Sequence, residues 1–257
     1  MEVHHHPHSE KKRFKEYFLE FLMLFLAVTL GFFAEALREH MGDRSKEKAY
    51  LATMFEELKY DTAQYHAALN RVNLLNPALD SCYMNVKKAG QFNYLLEARW
   101  NTPVNEIRVS YKPALPTINQ LKSSGNLRLI EERDIAAKVM EYETFIDGTY
   151  QDHYANVDAA TKKVFALEDE LCDYTDFNAK LGENMSHLNG QLNQEGSALY
   201  DMEILVKDPA KLNALANSFV NFKANNYGYA TGVNNAIKIA TELLGLINDK
   251  YHFGTSN

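Results

Sequence analysis

The stretch FLEFLMLFLAVTLGFFAEAL, Phe18 to Leu37, limits what this chain can fold into more than any other segment. Its twenty residues are apolar or small except Glu20, Thr29 and Glu35. A helix rising about 1.5 Å per residue carries twenty residues across about 30 Å, the thickness of a bilayer's hydrocarbon layer. A helix packed into a water-soluble core keeps a polar face, and between Phe21 and Phe33 only Thr29 offers one. A cleaved secretory signal also opens with basic residues and ends at a small-x-small site. Lys11, Lys12, Arg13 and Lys15 imitate the first feature, and Ala34-Glu35-Ala36 the second. The apolar run is longer than a signal needs, and Phe32 and Phe33 crowd the cleavage site. The segment is therefore read as an uncleaved anchor.

This reading divides the chain into a cytoplasmic tail (1–16), a transmembrane anchor (17–40) and an extracytoplasmic helical domain (41–257). Orientation rests on Lys and Arg, the residues that weigh most in membrane topology. The cluster at Lys11 to Lys15 faces Arg38, Arg44, Lys46 and Lys48 beyond the anchor, mixed there with Glu39, Asp43 and Glu47. The counts are nearly equal. The cluster nearest the chain start places the N-terminus in the cytoplasm. The expected location is the inner membrane, single-pass, with the C-terminal domain in the periplasm of a Gram-negative cell.

At about 100° per residue, Glu20, Leu24, Ala27, Gly31, Ala34 and Glu35 share one stripe of the anchor. Ala27-x-x-x-Gly31 is a small-x-x-x-small pair that lets two membrane helices approach closely. Glu20, Ala27, Gly31, Ala34 and Glu35 are thus candidate packing residues, and the two acids are better tolerated facing protein than lipid. The expected partners are the bilayer and either a second copy of this chain or another membrane protein.

Beyond the anchor the apolar spacing is helical throughout. Leu51, Phe55, Leu58, Thr62, Tyr65, Leu69 and Val72 step by four and three, a heptad-like seam. Asn76-Pro77 predicts a break, followed by a shorter helix from Ala78 to Lys88 that Gly90 stops. Asn101 to Pro116 holds three of the six prolines and reads as a loop. A short helix from Thr117 to Ser123 meets Ser124-Gly125-Asn126. The longest element is expected from Glu131 to Leu171, with Ile135, Val139, Tyr142, Ile146, Tyr150, His153, Val157, Ala160, Val164, Leu167 and Leu171 on one face and Gly148 as its weak link. Asp208-Pro209 signals a helix start ahead of Leu212, Leu215, Phe219 and Phe222. A last helix is expected from Gly232 to Tyr251, with Ile237, Leu244 and Ile247 inward. No run alternates as a strand does. The predicted fold is all-α, an N-terminal transmembrane helix followed by a bundle of long antiparallel helices.

The segments KEYFLEFLMLFLAVTLGFFAEALREH, EELKYDT and INQLKSSGNLRLI resemble an uncharacterised family of bacterial single-pass envelope proteins. The resemblance covers roughly the first 150 residues and is strongest from Leu121 to Ile130. It implies an uncleaved anchor and a helical extracytoplasmic domain, and brings no catalytic residue or ligand. In LKSSGNLRLI itself, Gly125-Asn126 permits the positive φ that ends a helix. Leu127, Leu129 and Ile130 can then enter the core. The other reading of the turn is an anion site built from Ser123, Ser124 and Asn126 beside Lys122 and Arg128.

The chemistry of sites is thin. The sequence has no Gly-rich phosphate loop, no His-Glu-x-x-His and no Cys-x-x-Cys. The paired Glu-x-x-His motifs of two-metal bundles are missing; Asp249-x-x-His252 stands alone. His4 to His8 could bind a transition metal and reads better as a tail. The formal charge of −7 argues against nucleic acid, which needs a basic surface. No catalysis, metal or cofactor is expected. Cys82 and Cys172 could form one disulfide in an oxidising compartment or stay as separate thiols. Tyr142, Tyr150, Tyr154 and Tyr174 could line a pocket, with core packing the default. The expected function is a membrane-anchored helical scaffold or assembly protein of the bacterial envelope. The alternative is a ligand-sensing helical bundle that signals through a partner protein.

Overall fold

The structure, a computed structural model, describes residues 14–89, 92–93, 113, 115–171, 201–202 and 207–254. The elements are α1 (Phe14–Ala89), α2 (Pro116–Ser123), a 3-10 turn (Asn126–Leu129), α3 (Arg133–Phe145), a π-helical turn (Ile146–Tyr150), α4 (Gln151–Leu171) and α5 (Pro209–Tyr251). Phe92–Asn93 and Asp201–Met202 pair as a two-residue antiparallel ladder. The chain is all-α, as its spacing predicts, and divides into two compact units at Tyr50 and Leu51.

In the first unit, α1 carries a segment long and apolar enough to cross a membrane. Its large side chains stand exposed all round: Phe18 55%, Phe25 54%, Val28 52% and Phe33 68%. Thr29 donates its hydroxyl to the Phe25 carbonyl at 2.8 Å, so this polar group is satisfied inside the helix, as a hydrocarbon surrounding requires. Past the apolar run the charges pair along the helix: Arg38 with Glu35, Lys46 with Asp43 and Arg44 with Glu47.

In the second unit, Leu51, Phe55, Leu58, Tyr65 and Val72 of the expected seam are buried. Thr62 and Leu69 are only half-buried, and Asp61 and Ala68 take the inner positions. Steps of three then four from Leu58 fit Asp61 as well as steps of four then three fit Thr62. Side-chain polarity favours Thr62, and packing decides for Asp61.

The expected break at Pro77 does not occur; α1 continues through it to Ala89. A proline inside a helix costs about 3 kcal/mol. Leu75, Leu79, Cys82 and Val86 are buried on both sides of it, and each large apolar side chain returns about 1.5–3 kcal/mol on burial. That burial outweighs the proline. The longest element is therefore α1, with 76 residues, and not the segment after Glu131.

The two helices expected at the C-terminus are likewise one, α5, of 43 residues. Asp208 caps it by accepting from the Ala210 amide at 2.8 Å, with Pro209 at the first helical position. Gly228 and Gly232, around the start expected at Gly232, serve a close approach. A Cβ on Gly232 would lie 2.7 Å from His153 Cδ2, and one on Gly228 would lie 3.3 Å from His153 Nδ1. The α4 imidazole thus packs where α5 has no side chains.

Pairings across the bundle set helix direction. Along α1, Asn76 meets Asn226, Asp80 meets Lys223 and Lys87 meets Asn213, so α5 runs antiparallel to α1. Lys138 of α3 meets Glu242 and Glu170 of α4 meets Lys211, so α5 opposes α3–α4 as well. Among the described helices, α1 and α3–α4 therefore run parallel to each other, and α5 is antiparallel to both.

Candidate functional site

Three helices of the bundle and the π-turn send polar side chains into its core. Asp61 and Tyr65 come from α1, Tyr142 from α3, Tyr150 from the π-turn and Tyr229 from α5. All five are at most 3% exposed. Tyr142 donates its hydroxyl to Asp61 Oδ2 at 3.1 Å. The Tyr65 and Tyr142 hydroxyls lie 3.1 Å apart, and so do those of Tyr150 and Tyr229. The two groups meet where the Tyr65 ring stands edge-on to the Tyr150 ring, 5.7 Å between centroids at 71°.

The π-turn is what lines up the α3 side of this cluster. Tyr142, Ile146 and Tyr150 are all buried at a spacing of four. In a regular α-helix two such steps would swing Tyr150 about 80° off the stripe. The wider turn over Ile146–Tyr150 absorbs that slip. Gly148, the weak link in the sequence pattern, sits in its middle.

Burial sets the protonation states. Asp61 is pushed up to about 6, first by desolvation and then, against the Tyr142 hydrogen bond, by the charge of Glu57. Burial also raises the Tyr142 and Tyr150 phenols far above their ordinary value and lifts Tyr229 to about 12. These phenols stay neutral at any physiological pH. They act as hydrogen-bond donors and acceptors, not as bases. Asp61 is the member of the cluster that titrates near neutrality.

Sequence reasoning had named Tyr142 and Tyr150 as pocket candidates. Tyr154 is half-buried, and Tyr174 lies outside the described residues. Asp61 and Tyr229 were missed. The signal for Asp61 was an acid at a heptad-compatible position; that for Tyr229 was hidden by splitting α5.

The anchor candidates Glu20, Ala27, Gly31, Ala34 and Glu35 are all exposed on α1. A Cβ at Gly31 would meet nothing within 4 Å. Glu35 is bonded to Arg38 at 2.5 Å. Cys82 is buried in α1, while Cys172 lies outside the described residues, so their pairing does too. The His4–His8 tail is outside them as well.

The LKSSGNLRLI turn is a corner. Gly125 adopts φ 70° and hands the chain to the 3-10 turn. Ser123 and Ser124 donate to the Gln120 carbonyl, and Lys122 is engaged by Glu143. Three of the five groups that could have held an anion are thus engaged within the fold, while Arg128 is exposed. Leu129 and Ile130 enter the core as expected, with Leu127 half-buried. Among the described residues no group of three metal-ligating side chains occurs; His252 closes α5 in the left-handed conformation.

Comparison with known proteins finds no matching protein family, no matching curated protein and no matching solved structure.

Proposed function

We propose that this chain is a membrane-anchored helical scaffold or assembly protein of the bacterial envelope, held in the inner membrane with its bundle in the periplasm. One observation carries the anchor: the Phe18–Leu37 side chains of α1 are exposed on every side, a surface that water disfavours and lipid accepts. The open face at Ala27, Gly31 and Ala34 supports association with a second copy or another membrane helix.

Two measurements test the reading. The full chain should stay in the membrane pellet after alkaline carbonate extraction. A cysteine placed at Asn257, in a background lacking Cys82 and Cys172, should react with an impermeant thiol reagent in cells whose outer membrane alone is permeabilised. Release by carbonate removes the anchor, and labelling only after inner-membrane lysis reverses the topology. In a reporter assay of membrane-helix association, Gly31→Leu should weaken self-association of residues 15–44 more than Val28→Leu does. Equal signals leave a different membrane protein as the partner.

A second reading, a bundle that senses a ligand and signals through a partner protein, draws on Asp61 and the tyrosines. Purification in mild detergent followed by mass spectrometry separates the two. A reproducible protein partner supports the scaffold, and a retained small molecule supports the sensor.

A further inference from the structure

Asp61 is buried in the bundle core, 3% exposed, where an apolar side chain would cost nothing in desolvation. Its hydrogen bond comes from the Tyr142 hydroxyl at 3.1 Å. Glu57 on α1 and Tyr142 on α3 act on it directly, and Tyr65, Tyr150 and Tyr229 connect to it in turn through Tyr142. From α2, Thr117 donates its hydroxyl to Glu57 at 2.7 Å. Lys122 is paired with Glu143 and Lys138 with Glu141 and Glu242, while the charge of Arg71 on α1 acts on Tyr229 at the far side of the cluster. Among the described residues no cation pairs with Asp61.

We propose that Asp61 and the tyrosines converging on it form a proton-responsive joint between α1, α3 and α5, in which loss of the Asp61 proton loosens the local packing. With the carboxyl protonated, the core holds a neutral hydrogen-bonded group, which burial tolerates. When the proton leaves for solvent, the core holds an anion that the charge of Glu57 disfavours and that no cation pairs among the described residues, which burial penalises. The carboxyl's rise to about 6 places this change in mild acid. The strain is relieved at the π-turn, the departure from α-helical pitch that lies between Tyr142 and Tyr150. Tyr65 carries the change onward, since it bonds Tyr142 and packs on Tyr150, which in turn bonds Tyr229 of α5. A periplasmic bundle would meet such pH changes directly. The inference deepens the sensor reading by making the proton its ligand, and the scaffold reading stands without it.

Hydrogen exchange of the full chain in detergent micelles, read by mass spectrometry at pH 4.5 and pH 8 and corrected for the intrinsic exchange rate, tests the joint. Moving a carboxyl between 3.8 and about 6 makes an opening that frees it at most about 100-fold more favoured at the higher pH. Protection in peptides spanning 57–69 and 139–150 should fall toward that limit in the wild type. Asp61→Asn should keep its acid-like protection at pH 8. Tyr142→Phe preserves the ring and removes the bond that favours the ionised carboxyl, so its transition should move to higher pH. Protection that is flat with pH in the wild type overturns the proposal. So does an Asp61→Asn protein that follows the wild type. If Asp61→Asn does not fold, Tyr142→Phe decides, and an unmoved or lowered transition overturns the joint. A flat profile removes the proton as ligand, whereas the sensor reading itself fails only if mass spectrometry also finds no retained molecule.

Discussion

Asp61 is one carboxyl group whose environment contradicts its chemistry. Its folded value, about 6, lies above its ordinary 3.8. Its stabilising effect is therefore full below pH 3.8 and is lost as the pH rises through about 6. Above that range the buried charge costs about 3 kcal/mol relative to the protonated form. Asp61→Asn should therefore raise the stability of the full chain at pH 8 by about 1–3 kcal/mol, less whatever the Tyr142 bond contributes, and the gain should vanish by pH 4. Denaturant titrations at the two pH values measure it, and a loss of stability at both would show that the carboxylate is held by something stronger than Tyr142. Gly232 makes the opposite kind of point. Alanine is favoured over glycine within a helix by about 1 kcal/mol, yet its Cβ would stand 2.7 Å from the His153 ring. Gly232→Ala should cost about 1 kcal/mol net, since overpacking a core costs about 1–3 kcal/mol. In a His153→Ala background the same change should become stabilising. A double-mutant cycle measures that change of sign.

Among the elements, α1 and α5 show how packing overrides local signals. Pro77 removes one amide from the α1 ladder, and its exposed ring has no packing role that would offset the loss. Ser81 donates its hydroxyl to the Pro77 carbonyl at 3.1 Å, one turn beyond. Replacing Pro77 by Ala should therefore stabilise the bundle, by about 1–3 kcal/mol. A chemical denaturation midpoint that stays put or falls would mean that the bundle needs the bend a proline imposes. The π-turn after α3 is the reverse case. There the helix departs from its regular pitch so that Tyr142 and Tyr150 can both face inward.

The whole bundle is tied along its outside by α5. Lys223 pairs with Asp80, Lys211 with Glu170, Lys138 with Glu242, and Lys250 with Glu132. Exposed pairs of this kind contribute about 0–1 kcal/mol each; their value is in matching α5 to one register. Inside, Asn226 donates to Asn76 Oδ1 at 2.9 Å with both residues buried, the sort of polar pair that a slipped register would leave unsatisfied. Cysteines at Asp80 and Lys223, in a background lacking Cys82 and Cys172, should cross-link readily. Cysteines at Asp80 and Lys250 should not. Cross-linking of the second pair would overturn the antiparallel register of α1 and α5.

The sequence by itself determined the all-α class, the apolar segment long enough to cross a membrane, the Asp208-Pro209 helix start and the Gly125 corner. Each follows from a local cause: an apolar run of fixed length, a side chain that caps an amide, a residue that accepts positive φ. It also brought Tyr65, Tyr142 and Tyr150 to inner faces through their spacing. Only the tertiary structure decided that α1 passes through Pro77, that α5 is one helix across Gly228 and Gly232, and that Asp61 rather than Thr62 is buried. Those outcomes depend on partners far away in the chain. Buried side chains around Pro77 outweigh its missing hydrogen bond, the His153 ring occupies the space that the α5 glycines leave, and Tyr142 supplies the hydrogen bond that lets an acid enter the core.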